Sequence, residues 1–201
     1  MYAAAGGEDL GEVPFRVDRT TPCWFEMANF GGVGLASNLA LRRTLFEAGW
    51  GFPESLGPGG GVPGEEHYAF FTIIRAGHAM AYLPDAIVHH PYPATIAALR
   101  RRRFWILQGA AAYMVMLLVE EPEYRRDTLR YMAQSIRGVR RPWRRGHADA
   151  RLATRLQLLA AACTGPPLYV RTRLATRGRL SRLPSAQPAG EGGPRQRSVS
   201  S

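Results

Sequence analysis

The chain has 201 residues, 46% of them hydrophobic, 10% aromatic and 21% charged, a globular composition long enough for one sizeable core. Its net charge of +10 comes from 26 basic residues that are all Arg, and it is uneven: residues 1–93 carry 5 Arg and 10 acids, residues 94–201 carry 21 Arg and 6 acids. An acidic front on a basic back argues against a uniformly basic nucleic-acid coat. The only two cysteines, Cys23 and Cys163, fit neither a disulfide framework nor a zinc cluster and read as buried small hydrophobes.

Met1–Leu10 lacks the basic start and apolar core of a secretory signal. Residues 1–30 hold few periodic signals, with a short strand expected at Phe15–Val17. Gly31–Gly34 reads as a flexible loop, and the alternation of Ala36–Leu41 predicts a strand. Arg43–Ala48 suits one or two helical turns stopped by Gly49. Residues 51–64, with six Gly and three Pro, predict a mobile loop.

Glu65–Ala76 reads as a helix with acids in its first turn and Gly77 after its end. Met80–Leu83 and Ala86–Val88 are short apolar runs split by Pro84-Asp85, predicting two short strands or one broken strand. From Ala94 the pattern is helical, with helices near 95–119, 123–137 and 149–163 and Pro166 following a stop. Phe104–Val119 spans 16 residues interrupted by Gln108 and Gly109, which is short of the roughly 20 a membrane crossing needs, so a buried or interfacial helix is expected. Residues 184–201 have a disordered composition.

Three pieces fall in order within about 60 residues. Asn38-Leu39-Ala40-Leu41-Arg42-Arg43 ends the first predicted strand. Gly64-Glu65-Glu66-His67 opens a helix after the Gly-rich loop. Tyr82-Leu83-Pro84-Asp85-Ala86-Ile87-Val88-His89-His90 ends a strand. Carboxylates at a helix N-terminus are held ionised by the helix dipole, which suits a base, and a preceding flexible loop suits a lid. A His past a strand end suits a metal or a phosphate. The plainer reading of Glu65 and Glu66 is a pair of acids that favour the dipole. The plainer reading of Arg42 and Arg43 is a solvated turn. Trp24, Trp50 and Tyr68 suit either a sugar-stacking surface or the core.

The order N-x-A-x-R-R, a Gly-rich loop, G-E-[DE], then Y-x-P-x-A-x-V-x-H resembles the acceptor half of family 2 glycosyltransferases. Ala98–Trp105 resembles the Arg-rich segment that follows the His in that family. Gly165-Pro166-Pro167-Leu168-Tyr169 resembles the Gly-Pro turn of its helical tails, so the likeness covers roughly residues 24–175. The resemblance implies an α/β fold: a partial GT-A-type nucleotide-diphospho-sugar transferase domain over residues 1–93, a helical Arg-rich extension over 94–183, and a tail over 184–201.

It also implies sugar transfer from a nucleotide-diphosphate sugar to a glycan or lipid-linked acceptor, in cell-envelope or polysaccharide synthesis. Glu66 stands where the family has its catalytic base, usually an Asp, with Glu65 beside it. Asn38, Arg42, Arg43, Trp24, His67, Arg101 and Arg103 stand as substrate-binding candidates, and His90 as a metal ligand. The Gln of the Q-x-x-R-W signature of processive relatives is absent, so processivity is not implied. The family holds Mg²⁺ or Mn²⁺ with an Asp-x-Asp signature in a preceding nucleotide-binding half. No Asp-x-Asp occurs in this chain, which reads as the later part of a longer enzyme and is expected to be inactive alone.

The Arg-rich back half has its own alternatives. Arg100–Arg103, Arg140, Arg141, Arg144 and Arg145 with Trp105 and Trp143 suit the anionic inner face of the plasma membrane, which implies a cytoplasmic, peripheral location. A solvated Arg face is the plain reading, and nucleic-acid binding is disfavoured for want of a motif. A non-catalytic acceptor-binding or membrane-surface module is the alternative to catalysis.

Overall fold

A computed structural model of the chain describes residues 13–34, 36–89, 93–140 and 155–181. Most of these residues are helical. β1 (Phe15–Val17) and β2 (Met80–Tyr82) form a two-stranded antiparallel sheet that pairs Phe15 with Tyr82 and Val17 with Met80. Among the described residues this is the whole sheet, so the parallel strands of a GT-A domain are not among them. Among the described residues the helices are α1 (Trp24–Phe30), α2 (Arg43–Glu47), α3 (Gly57–Gly60), α4 (Glu65–Arg75), α5 (Ile96–Glu120), α6 (Arg125–Arg140) and α7 (Arg155–Thr176).

Helix α4 is the centre of the core. Every residue from Tyr68 to Ile74 is buried, so the helix is enclosed on all sides rather than along one stripe. Its acids lie in the first turn and Arg75 in the last, matching the helix dipole at both ends. Trp24 and Phe25 of α1 pack onto Phe71, the first stacked at 6.0 Å between ring centres and the second edge-on at 5.7 Å, and Tyr124 meets Phe71 edge-on at 4.9 Å. Such aromatic pairs add about 0.5–1.5 kcal/mol each beyond the area they bury.

Helix α5 starts at Thr95, whose hydroxyl accepts the Ala98 N–H at 3.2 Å. It runs under the Gly-rich loop. Gly64 has φ 130°, and a Cβ there would come within 2.6 Å of the Tyr113 ring. The Tyr113 hydroxyl donates to buried Asn29 at 2.7 Å, which ties α5 to α1.

Helix α7 packs along α5 in the same direction. Gly165 faces Gln108–Ala112, and Tyr169 and Leu180 lie against Glu120. A Cβ at Gly165 would sit 2.8 Å from the Ala112 nitrogen, so only glycine permits this approach. The junction is locked by two buried carboxylates. Glu120 accepts from the Tyr169 hydroxyl (2.9 Å) and from the amides of Leu180 (3.1 Å) and Ser181 (2.8 Å). Glu121 accepts from the Tyr68 hydroxyl (2.5 Å) and from Arg75 (2.7 Å).

Several expectations are corrected. The predicted strand over Ala36–Leu41 is a single 3-10 turn at Ala36–Asn38, where the Ala36 N–H bonds the Glu66 side chain. Ala86–Val88 is exposed and not a strand. The segment 51–64 is not featureless: α3 sits within it, and Leu56 and Val62 are buried and bridge to one another. Pro166 and Pro167 lie inside α7 rather than beyond its end, where packing against α5 carries the helix through them. Both Cys23 and Cys163 are exposed, not buried. The tail 184–201, together with Arg141, Trp143, Arg144 and Arg145, lies outside the described residues.

Candidate functional site

The three motif segments, distant in sequence, meet around the turn Ala36–Asn38. On one side the Ala36 N–H donates to Glu66 Oε2 at 2.7 Å. On the other the Asn38 side-chain amide donates to the carbonyl of Ala86 at 2.5 Å. The turn is thus clamped between the first turn of α4 and the segment after β2.

The two adjacent carboxylates separate in role. Glu65 turns back onto the Gly-rich loop and accepts the Gly64 N–H at 3.1 Å. Glu66 faces the turn. Partial burial, reinforced by the charge of Glu65, pushes the Glu66 carboxyl above its ordinary value, while the Ala36 hydrogen bond pulls the other way. The result is a carboxylate that binds a proton more readily than one free in water, the property a general base needs.

His67 lies behind this pair, its ring 6.3 Å from that of Tyr113. Burial pushes its pKa down to about 4, so the imidazole is neutral at pH 7. Its Nδ1 is sealed from solvent with no hydrogen-bond partner, and the same is true of Arg103 Nε on α5. Buried polar atoms without partners are rare in folded proteins, and each is a place where a ligand or a water satisfies the group.

The remaining candidates divide. Arg43 is exposed and pairs with Glu47 one turn on, and Arg42 is exposed at the start of α2. Both stand at the surface that follows the Asn38 turn. Arg101 is exposed on the first turns of α5. Trp24 belongs to the aromatic core beside Phe71 and Tyr124, Tyr68 is buried with its hydroxyl on Glu121, and the Trp50 indole N–H donates to Thr72. His90 lies outside the described residues. Among the described residues no three His, Cys, Asp or Glu side chains gather as a metal donor set, so they do not fit the Mg²⁺ or Mn²⁺ that the resemblance implies.

The residues that sequence reasoning missed are mostly backbone. The Ala36 amide and the Ala86 carbonyl hold the segments together, and no residue type announces such a role. Tyr113 supports Gly64 and His67 from below. Its signal is a lone polar-tipped aromatic within the apolar run Gly109–Val119, a pattern that calls for a buried hydroxyl partner. No protein-family model, curated protein or solved structure matches the chain.

Proposed function

We propose that this chain supplies the acceptor-activating part of a family 2-type glycosyltransferase, with Glu66 as the base that takes the proton from an acceptor hydroxyl. One observation carries the reading: the Glu66 carboxylate lies against the Asn38-containing turn, which in turn holds the segment ending at His89. Three motifs that resemble one family in order are therefore neighbours in space. Its raised proton affinity suits Glu66 to the role.

In this mechanism the acceptor hydroxyl loses its proton to Glu66 Oε1 or Oε2 as its oxygen attacks the anomeric carbon of the donor sugar. The bond from that carbon to the nucleotide diphosphate breaks, and a single displacement inverts the centre. The donor's diphosphate would be held by the nucleotide-binding half that the resemblance implies.

The test has two arms. Saturation-transfer NMR on the full chain, with a panel of oligosaccharides, should find an acceptor whose binding Glu66→Gln retains. Fused behind a nucleotide-sugar-binding half that carries an Asp-x-Asp pair, the chain should transfer sugar. There Glu66→Gln should lower kcat by about 10²–10⁴-fold with KM little changed. Unaltered turnover in Glu66→Gln would sink the reading. Glycan binding without transfer in the fusion would favour the second reading, an acceptor-binding module, to which the missing Asp-x-Asp lends support.

A further inference from the structure

We infer that the outward face of α7 docks on an anionic lipid bilayer, an inference independent of the glycosyltransferase reading. Helix α7 has two apolar sides. Ala161, Gly165, Tyr169 and Thr172 form the seam buried against α5. Leu156, Leu159, Cys163, Pro167, Val170 and Leu174 recur at spacings of three and four and form an opposite stripe, all of it exposed. Leu156 is 77% exposed, Leu159 63% and Leu174 74%, and the stripe runs about 27 Å at 1.5 Å per residue.

Beside the stripe an open groove of about 720 Å³ runs between α5 and α7, floored by Val115, Val119, Pro166 and Val170 with Arg173 and Arg177 at its rim. An exposed apolar surface of this extent marks an interaction site rather than ordinary surface scatter.

Charge identifies the occupant. Helix α7 contains no acid, and the only acid of α5 is Glu120, which is buried and fully bonded. Because the two helices run in parallel, exposed Arg100 and Arg101 lie at the same end as the start of α7, while exposed Arg171 and Arg177 lie at the other. None of these four Arg has an ion-pair partner among the described residues. An apolar stripe bounded at both ends by unpaired guanidinium groups fits the plane of a bilayer, acyl chains against the leucines and anionic headgroups against the arginines. An apolar protein partner would not call for the cations, and an acidic one would not call for the leucines.

The experiment uses the full chain carrying Cys23→Ser, so that an environment-sensitive fluorophore reports from Cys163 in the middle of the stripe. With vesicles of phosphatidylglycerol and phosphatidylcholine the label should shift to the blue and the protein should sediment with the vesicles. Pure phosphatidylcholine should give neither, and raising salt from about 0.1 M to about 0.5 M should weaken binding. The double variant Leu159→Gln and Leu174→Gln, at exposed positions that leave the core intact, should bind anionic vesicles at least 10-fold more weakly with an unchanged circular dichroism spectrum.

Three results would overturn the inference. One is vesicle binding that the double variant leaves intact, which would make it a charge effect alone. Another is a label already in an apolar setting without vesicles, which would mean that the stripe is covered by another part of the chain or by a second copy. The last is no binding at all.

Discussion

Helices α4 and α7 are both apolar around most of their circumference, yet they live in different surroundings. α4 is enclosed by α1, α5 and the Tyr124 turn, and seven consecutive residues are buried. α7 is covered along one seam by α5 and leaves an equally apolar stripe open to water. Hydrophobic sequence alone does not separate a central core helix from a surface one. Composition of the neighbours does: the Glu121 carboxylate and the Tyr68 hydroxyl lock α4 into place, while the exposed stripe of α7 is flanked by arginines and its one acidic neighbour, Glu120, lies on the buried side.

The sharpest way to test that contrast is a matched pair of truncations. Phe71→Ala in α4 should lower stability by about 3–5 kcal/mol, while Leu174→Ala in α7 should change it by no more than about 0.5 kcal/mol. Urea denaturation of the two variants measures both, and equal losses would erase the distinction between the helices.

Next in size is the clamp between α5 and the end of the α7 segment. Glu120→Ala leaves the Tyr169 hydroxyl and the Leu180 and Ser181 amides without their acceptor. The expected cost is about 3 kcal/mol, with hydrogen exchange accelerated at those two amides before any change in α4.

Acid should act on α4 first. Unfolded His67 titrates near 6.5 and the folded imidazole near 4, so its contribution is complete above pH 6.5 and is lost as pH falls to about 4. At 1.36 kcal/mol per unit this amounts to at most about 3 kcal/mol. The raised Glu66 value acts in the opposite sense: its contribution is present at low pH and lost as pH rises through its folded value. His67→Asn should therefore flatten the acid limb of a stability–pH curve, and an unchanged slope would show that the imidazole is already solvated.

A smaller loss is expected at the α5–α7 contact. Gly165→Ala forces a methyl against the α5 backbone and should cost about 1–2 kcal/mol, read as a lower melting temperature with the Trp24–Phe71 region undisturbed in near-UV spectra.

Local signals accounted for much of the fold. Residues 65–75 announce α4 by first-turn acids, clustered aromatics and a terminal Gly77, and the helical pattern from Ala94 announces α5. What was illegible depends on contacts made across the chain. Helix α1 begins at Cys23 with φ 60° and no side-chain cap, so nothing local marks it; it is held by rings from Phe71 and Tyr124. The alternation at Ala36–Leu41 reads as a strand only until the Ala36 amide is seen to bond Glu66 instead of a neighbouring strand. Gly-Pro-Pro reads as a stop, yet α7 continues through it along α5.

The candidate site was legible to the same degree. The residue types of Asn38, Glu66 and His67 were readable from their order along the chain. That Glu65 faces the loop while Glu66 faces the turn was not, since both are first-turn acids of one helix.

The pairing of Glu120 with the last described residues sets a boundary for any shortened form of this protein. A chain cut before Leu180 buries a carboxylate that has lost two of its donors, at the point where α5 meets both α4 and α7. A chain cut after Ser181 keeps every one of those bonds. A chain cut before Leu180 should therefore give a lower soluble yield than one cut after Ser181, because only the longer one keeps both amide donors to the buried Glu120 carboxylate.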